Sequence, residues 1–213
     1  MDARLQSPGE EIANSLIHGI ALLAVAIAVP VLIVTAVRHG GTVNVAAASV
    51  FATTMILLYL TSTVYHALPT SRAKRLFLTL DHGTIYLFIA GSYTPFVLGV
   101  LGGPWGWTLF GLEWGLAATG VALRAFTRFE HPTLSTGLYL AMGWLVLIAV
   151  VPLVERIPAA GVALLVAGGV AYTAGVVFFV LDSRLRYAHA IWHLFVIAGT
   201  GFHFFAVLGY AAR

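Results

Sequence analysis

Ser62 and His66 stand four residues apart in "YLTSTVYHAL", a stretch that is otherwise apolar. Positions i and i+4 share one face of a helix, so a hydroxyl and an imidazole point the same way. The spacing recurs in "HAIWH", where His189 and His193 form a pair that one metal ion can bridge, as in the two-histidine helix of zinc proteases. A third nitrogen from His66 completes a three-histidine set with its fourth position open, the pattern of catalytic rather than closed structural zinc. Asp81, in "LDHG", can bond a water at such a site or orient a ligand. Ser62 can donate to a substrate carbonyl or hold the site together.

The elements that must position these groups are membrane helices. The chain has 213 residues, of which 60% are hydrophobic and 9% charged, against about 25% charged in an ordinary soluble domain. Runs long enough to cross about 30 Å of hydrocarbon need roughly 20 residues. Seven are read, over about 13–37, 44–67, 82–101, 105–123, 134–153, 160–181 and 189–210. The connections are short, so residues 1–213 read as a single seven-helix transmembrane domain. A β-barrel would show ten-residue alternating segments instead. The first run is longer than the apolar core of a signal peptide, and its lead-in "MDARLQSPGEE" is more acidic than basic. Cysteine is absent, which excludes disulfides and thiol chemistry. The net charge of +3 does not indicate nucleic-acid binding, because the basic residues are confined to loops.

Those basic residues fix an expected orientation. Arg4, Arg72, Lys74, Arg75, Arg124, Arg128, Arg184 and Arg186 fall on the N-terminal side, and Arg38, Arg156 and Arg213 on the other. The positive-inside rule then places the N-terminus in the cytoplasm and the C-terminus outside. The fold class is an all-α, polytopic, seven-transmembrane-helix bundle in the plasma (inner) membrane. With this topology, Asn14 and His18, Ser62 and His66, Asp81 and His82, and His189 and His193 all lie at the cytoplasmic depth of their spans. Intramembrane histidines also bond across helices and serine readily satisfies its own backbone, but four helices sharing one depth favour a common site.

Other polar residues read differently. Glu10 and Glu11 look like a solvated helix start near the positive end of the dipole. His39 and His131 fall in loops. Glu113, mid-span, faces the bundle interior with no assigned role. A haem reading from His189 and His203, fourteen apart, lacks the second helix with a matching pair, and retinal lacks an intramembrane lysine.

The set formed by Ser62 and His66, by Asp81 in "LDHGTIYLFIAGSYTPF", and by His189 and His193 in "HAIWHLFVIAGTGFHFFA" resembles the hemolysin III family. This is the bacterial branch of the progestin and adipoQ receptors (PAQR), within a larger ceramidase-like group. "EEIANSLIHG" and "YLAMGW" extend the resemblance over nearly the whole chain, although Ile17 precedes His18 where many bacterial relatives carry a hydroxyl residue. The resemblance implies Zn²⁺ held by His66, His189 and His193, with Asp81 bonding the zinc-bound water and Ser62 lining the site. It also implies a part in membrane lipid and energetic homeostasis.

Three functions remain open on the sequence. One is a zinc-dependent hydrolase of a lipid amide or ester, with Asp81 and Ser62 as catalytic residues and substrate entering from the bilayer. The second is a regulator with structural zinc that responds to a membrane lipid or fatty acid. The third is an ion-conducting or cytolytic protein, which the apolar outer halves of the spans disfavour. Nothing in the sequence specifies an oligomeric state.

Overall fold

The computed structural model describes residues 6–126 and 132–213; Arg4, Arg128 and His131 lie outside them. Among the described residues the chain is helical, with no strand. Helices α1 (Pro8–His39), α2 (Thr42–Ala67) and α3 (Arg72–Thr94) are followed by a wider π-helical turn, Pro95–Leu101. Next come α4 (Gly103–Phe126), α5 (Pro132–Gly143), a tight 3₁₀ segment at Leu145–Ala149, α6 (Val150–Val154), α7 (Ala159–Leu181) and α8 (Ala188–Tyr210).

Among the described residues, six stretches are long and apolar enough to cross a membrane: α1, α2, α3 with its π-helical extension, Leu134–Val154, α7 and α8. The chain is a multi-pass membrane protein. Helix α4 has 24 residues, about 36 Å at 1.5 Å per residue, but Glu113 and three tryptophans lower its hydropathy. The third span, read from residue 82, belongs to a helix that already starts at Arg72, where Ser71 Oγ accepts the Lys74 amide at 3.1 Å. Asp81 therefore sits in the third turn of α3 and not at its start.

Helix α1 shows how the bundle sorts its faces. Leu16, Ile20, Leu23, Ile27 and Val31 are 52–74% exposed, which suits hydrocarbon contact, whereas Asn14, His18, Ala21, Val25 and Leu32 are buried. α1 packs between α2 and α8, α2 continues to α3, and α3 to α4; α8 pairs with α7. α5 closes the ring by touching α3 and α7 lightly. The seam between α7 and α8 is set by Gly161, Gly168 and Gly175, two turns apart on one face. A side chain on them would strike Tyr210, His203 and Phe195 of α8 respectively. Missing side chains on one helix thus make room for rings on the other, the close approach that membrane helices exploit in place of a hydrophobic drive.

The α5–α6 stretch is broken at Gly143–Trp144, and a break in lipid must satisfy its freed backbone groups within the protein. Tyr93 of α3 does this. Its hydroxyl shares its hydrogen between the Met142 and Gly143 carbonyls, at 2.9 and 2.8 Å, and accepts the Val146 amide at 2.9 Å. Trp144 is turned toward α7, where its indole N–H donates to Thr173 Oγ1 at 3.1 Å. Beside this break α5 touches α3 and α7 only lightly, and a cavity lies between α3, α5, α7 and α8.

Tyr93→Phe strands those backbone groups, so it is expected to destabilise the protein by about 1–3 kcal/mol. The control is Thr35→Ala, whose hydroxyl serves only its own helix through Val31 O. Melting of both variants in detergent tests this, and a Tyr93→Phe midpoint equal to wild type would show that the break does not depend on that hydroxyl.

Candidate metal centre

Two helices bring three imidazoles to the end of the bundle where α1 begins: His66 from the last turn of α2, and His189 and His193 from the first turns of α8. Their ligand-capable nitrogens lie within 4.8 Å of one another. The ring centroids of His66 are 5.2 Å from His189 and 5.1 Å from His193, and those of His189 and His193 are 4.7 Å apart. His66 and His193 are buried and His189 is partly so. Among the described residues these three form a group able to hold a metal ion.

The surroundings fit such an ion. His66 Nδ1 meets Glu11 Oε2 at 2.7 Å and His189 Nδ1 meets Asp182 Oδ2 at 2.9 Å. A carboxylate accepts, so each Nδ1 carries the hydrogen and each Nε2 keeps its lone pair for a metal. A carboxylate behind a ligating histidine fixes the ring and raises its basicity. His66 Nε2 and the ring nitrogens of His193 are buried with no hydrogen-bond partner, a costly state for protein alone. A bound ion would relieve it, since imidazole nitrogens are ordinary ligands of such an ion.

Glu10 and Glu11 depart from their expected role as a solvated helix start. Glu11 is 23% exposed and also accepts Lys74 Nζ at 2.9 Å. Lys74 in turn donates to the Tyr65 and Leu68 carbonyls at 3.1 and 3.0 Å, capping the end of α2. Glu10 is only 2% exposed. Its Oε2 accepts the Ser7 amide and hydroxyl at 2.9 and 2.8 Å, and its Oε1 accepts the Tyr187 amide at 2.9 Å. Tyr187 has φ 60°, a left-handed conformation that costs an L-residue roughly 1–2 kcal/mol, and it immediately precedes α8. Glu10 thus pins the turn from which His189 and His193 project. Asp182 is held from the other side by Gln6 Nε2 at 3.2 Å, and Gln6 Oε1 accepts Asn14 Nδ2 at 2.6 Å.

Ser62, Asp81 and His18 form an adjoining polar group. His18 Nδ1 and Ser62 Oγ are 2.8 Å apart, and the His18 ring stacks on His193 with centroids 3.6 Å apart. Ser62, Asp81 and His18 are 1%, 7% and 2% exposed and line one cavity of about 140 Å³. The rest of its wall is mostly apolar, with Phe88, Ile89, Leu140, Trp144, Phe179 and Val196 among the lining residues. The cavity thus has a polar end, which His18 joins to the histidine cluster through its stack on His193, and mostly apolar walls elsewhere.

His39 is exposed at the end of α1, away from the site. Glu113 is fully buried with both oxygens unbonded. His203 turns toward α7, where its Nε2–H donates to Leu165 O at 3.4 Å. The carboxylates Glu11 and Asp182 were the functional residues that the sequence did not single out. Glu11 sits three residues before Asn14 and seven before His18 on the same helix, a periodicity that could have placed it inward; Asp182 carries no such signal.

The family model described as "Haemolysin-III related" matches residues 7–204. The chain is 44% identical over 201 residues to Hemolysin-3 of Bacillus cereus, covering 94% of this chain and 91% of that one. It is 41% identical over 204 residues to the Hemolysin-3 homolog of Bacillus subtilis (strain 168), covering 96% and 95%. Human Monocyte to macrophage differentiation factor is 32% identical over 165 residues, covering 73% of this chain and 66% of that one. With its buried histidine cluster, its membrane helices and a match over almost its full length, the chain belongs to the haemolysin III family.

Proposed function

We propose that the protein is a zinc-dependent hydrolase of a lipid amide or ester, acting within the plasma (inner) membrane and serving membrane homeostasis. The observation that carries this reading is the continuity of the three-histidine cluster with a polar patch and then with an apolar cavity inside the bundle. An acyl chain fits the cavity, and its carbonyl end then lies beside Ser62 and Asp81. Zinc held by His66, His189 and His193 would supply a Lewis acid and acidify a water. Glu11 and Asp182 hold two of the rings in the tautomer that leaves Nε2 free. Asp81 takes up and returns the proton that hydrolysis moves, and Ser62, oriented by His18, donates to the substrate carbonyl. The apolar walls exclude bulk water, which strengthens these polar contacts.

The same reading takes α4 as a seventh crossing, within a single domain over 1–213. Its inward Glu113 accounts for its lower hydropathy, while Trp105, Trp107, Leu112 and Leu116 are exposed to the surroundings. Eight of the 11 basic residues then fall, by their order in the sequence, on the N-terminal side of the spans, which puts the N-terminus and the metal end in the cytoplasm.

Zinc content is the first measurement. His66→Ala, His189→Ala and His193→Ala should each strip most of the metal and lower thermal stability, since an ion bound to the native state stabilises it by linkage. His39→Ala should do neither. Glu11→Ala and Asp182→Ala should weaken zinc affinity by about 10–100-fold while retaining the site. Full occupancy in His193→Ala would remove the proposed ligand set.

Asp81→Asn should keep its zinc, because the three imidazoles remain, yet lose the proton-transfer contribution, typically 10²–10⁴-fold. Purified wild type and variant at equal zinc content are compared for fatty-acid release from membrane lipid extracts. Equal release, or none from wild type, would favour a lipid-responsive regulator with structural zinc; loss of metal would make Asp81 a ligand.

Orientation is read with reporter fusions. One placed after Arg213 should report the outside and one in the 68–71 turn the cytoplasm. Both on the same side would remove the seven-crossing topology.

A further inference from the structure

His203 belongs neither to the metal cluster nor to the polar patch, yet it occupies a particular place in the cavity. A second chamber, of about 130 Å³, continues from the first toward Leu153 and Val162. Ser92, Tyr93, Gly143, Trp144, Gly169 and His203 line both chambers, so His203 stands at their junction. It lies ten residues beyond His193 on α8, about 15 Å along the helix axis at 1.5 Å per residue.

The polar groups at that junction are almost all engaged. Ser92 Oγ donates to Ile89 O at 2.8 Å, and the Tyr93 hydroxyl is committed to the α5 break. Trp144 Nε1 donates to Thr173 Oγ1, whose own hydrogen goes to Gly169 O at 2.7 Å. His203 differs. Its Nε2–H donates to Leu165 O at 3.4 Å, which makes Nδ1 the nitrogen with the lone pair. Nδ1 has no protein partner among the described residues. The ring is held in place by Gly168, which leaves room for it, and by Tyr172, edge-on at 5.3 Å between centroids.

We propose that His203 is a specificity subsite for a lipid bearing a hydroxyl group partway along its acyl chain, with the chain hydroxyl donating to Nδ1. This inference rests on the reading of the cavity as an acyl-chain site. With carbon–carbon bonds near 1.5 Å, 15 Å of axial distance corresponds to roughly ten to twelve methylenes between the carbonyl beside Ser62 and the hydroxyl. A fully apolar chain in the same space covers Nδ1 without pairing it, and an acceptor cut off from water with no partner is penalised.

The test is competition for the purified zinc-loaded protein in detergent, with a fluorescent fatty acid displaced by 12-hydroxyoctadecanoic, 2-hydroxyoctadecanoic or octadecanoic acid. Wild type should hold the 12-hydroxy acid about three- to tenfold more tightly than the other two, the range expected of one net hydrogen bond. His203→Phe should abolish that preference while still binding octadecanoic acid, and His203→Gln, which retains an acceptor, should restore part of it. Equal binding of the three acids by wild type overturns the subsite, as does a preference that survives in His203→Phe. The wild-type comparison decides the matter even if His203→Phe fails to fold. Displacement by none of the acids would instead overturn the acyl-chain reading of the cavity, and the subsite with it.

Discussion

One carboxylate ties the working end of this molecule together. Glu11, on α1, accepts from His66 on α2 and from Lys74 on α3, and Lys74 closes the exposed carbonyls of α2. Three helices are thereby registered against one another at the depth where His66 must present its free nitrogen. In hydrocarbon these groups have no water to fall back on, so leaving any of them unpaired is expensive. The same requirement recurs at Glu10, which fixes the left-handed Tyr187, and at Asp182, which holds His189. The geometry of the histidine cluster is therefore set by an outer layer of acidic residues rather than by the cluster itself.

Much of the cluster was legible in advance because its signals are local. Helical spacing pairs Ser62 with His66 and His189 with His193, and an imidazole within an apolar run is conspicuous. The acidic layer was not legible. Glu11 follows Glu10 at a helix start, where acidic residues normally face water and the dipole; its burial depends on Lys74 and His66, 63 and 55 residues away. Asp182 reads as a loop residue because its partner, His189, sits across the turn that Tyr187 makes. The helical class and the positions of the long apolar stretches follow from hydropathy. The break at Gly143–Trp144 does not, because it exists through the Tyr93 hydroxyl of another helix.

That break links backbone to cavity. A continuous helix from Pro132 to Val154 would present an unbroken wall along α3 and α7. With the 3₁₀ segment at Leu145–Ala149 and Trp144 turned toward α7, α5 is instead only lightly packed against both neighbours. The space so created runs alongside Ser62 and Asp81 at one end and His203 further in. Polar chemistry and apolar volume are thus supplied largely by different helices: α1, α2 and α8 carry the histidines and their supports, and α3, α5 and α7 supply most of the enclosing wall.

The glycine stripe of α7 gives that helix two very unequal faces for sequence drift. Toward lipid, Val166, Val170, Val177 and Val180 are 54–64% exposed, and one aliphatic residue there can replace another with little consequence. Toward α8, even a single methyl group at Gly168 or Gly175 would meet His203 or Phe195 and wedge the two helices apart along their whole length. Divergent chains with this architecture are therefore free to vary the outer surface of α7 almost at will, while its inner surface stays at the minimum side-chain volume available.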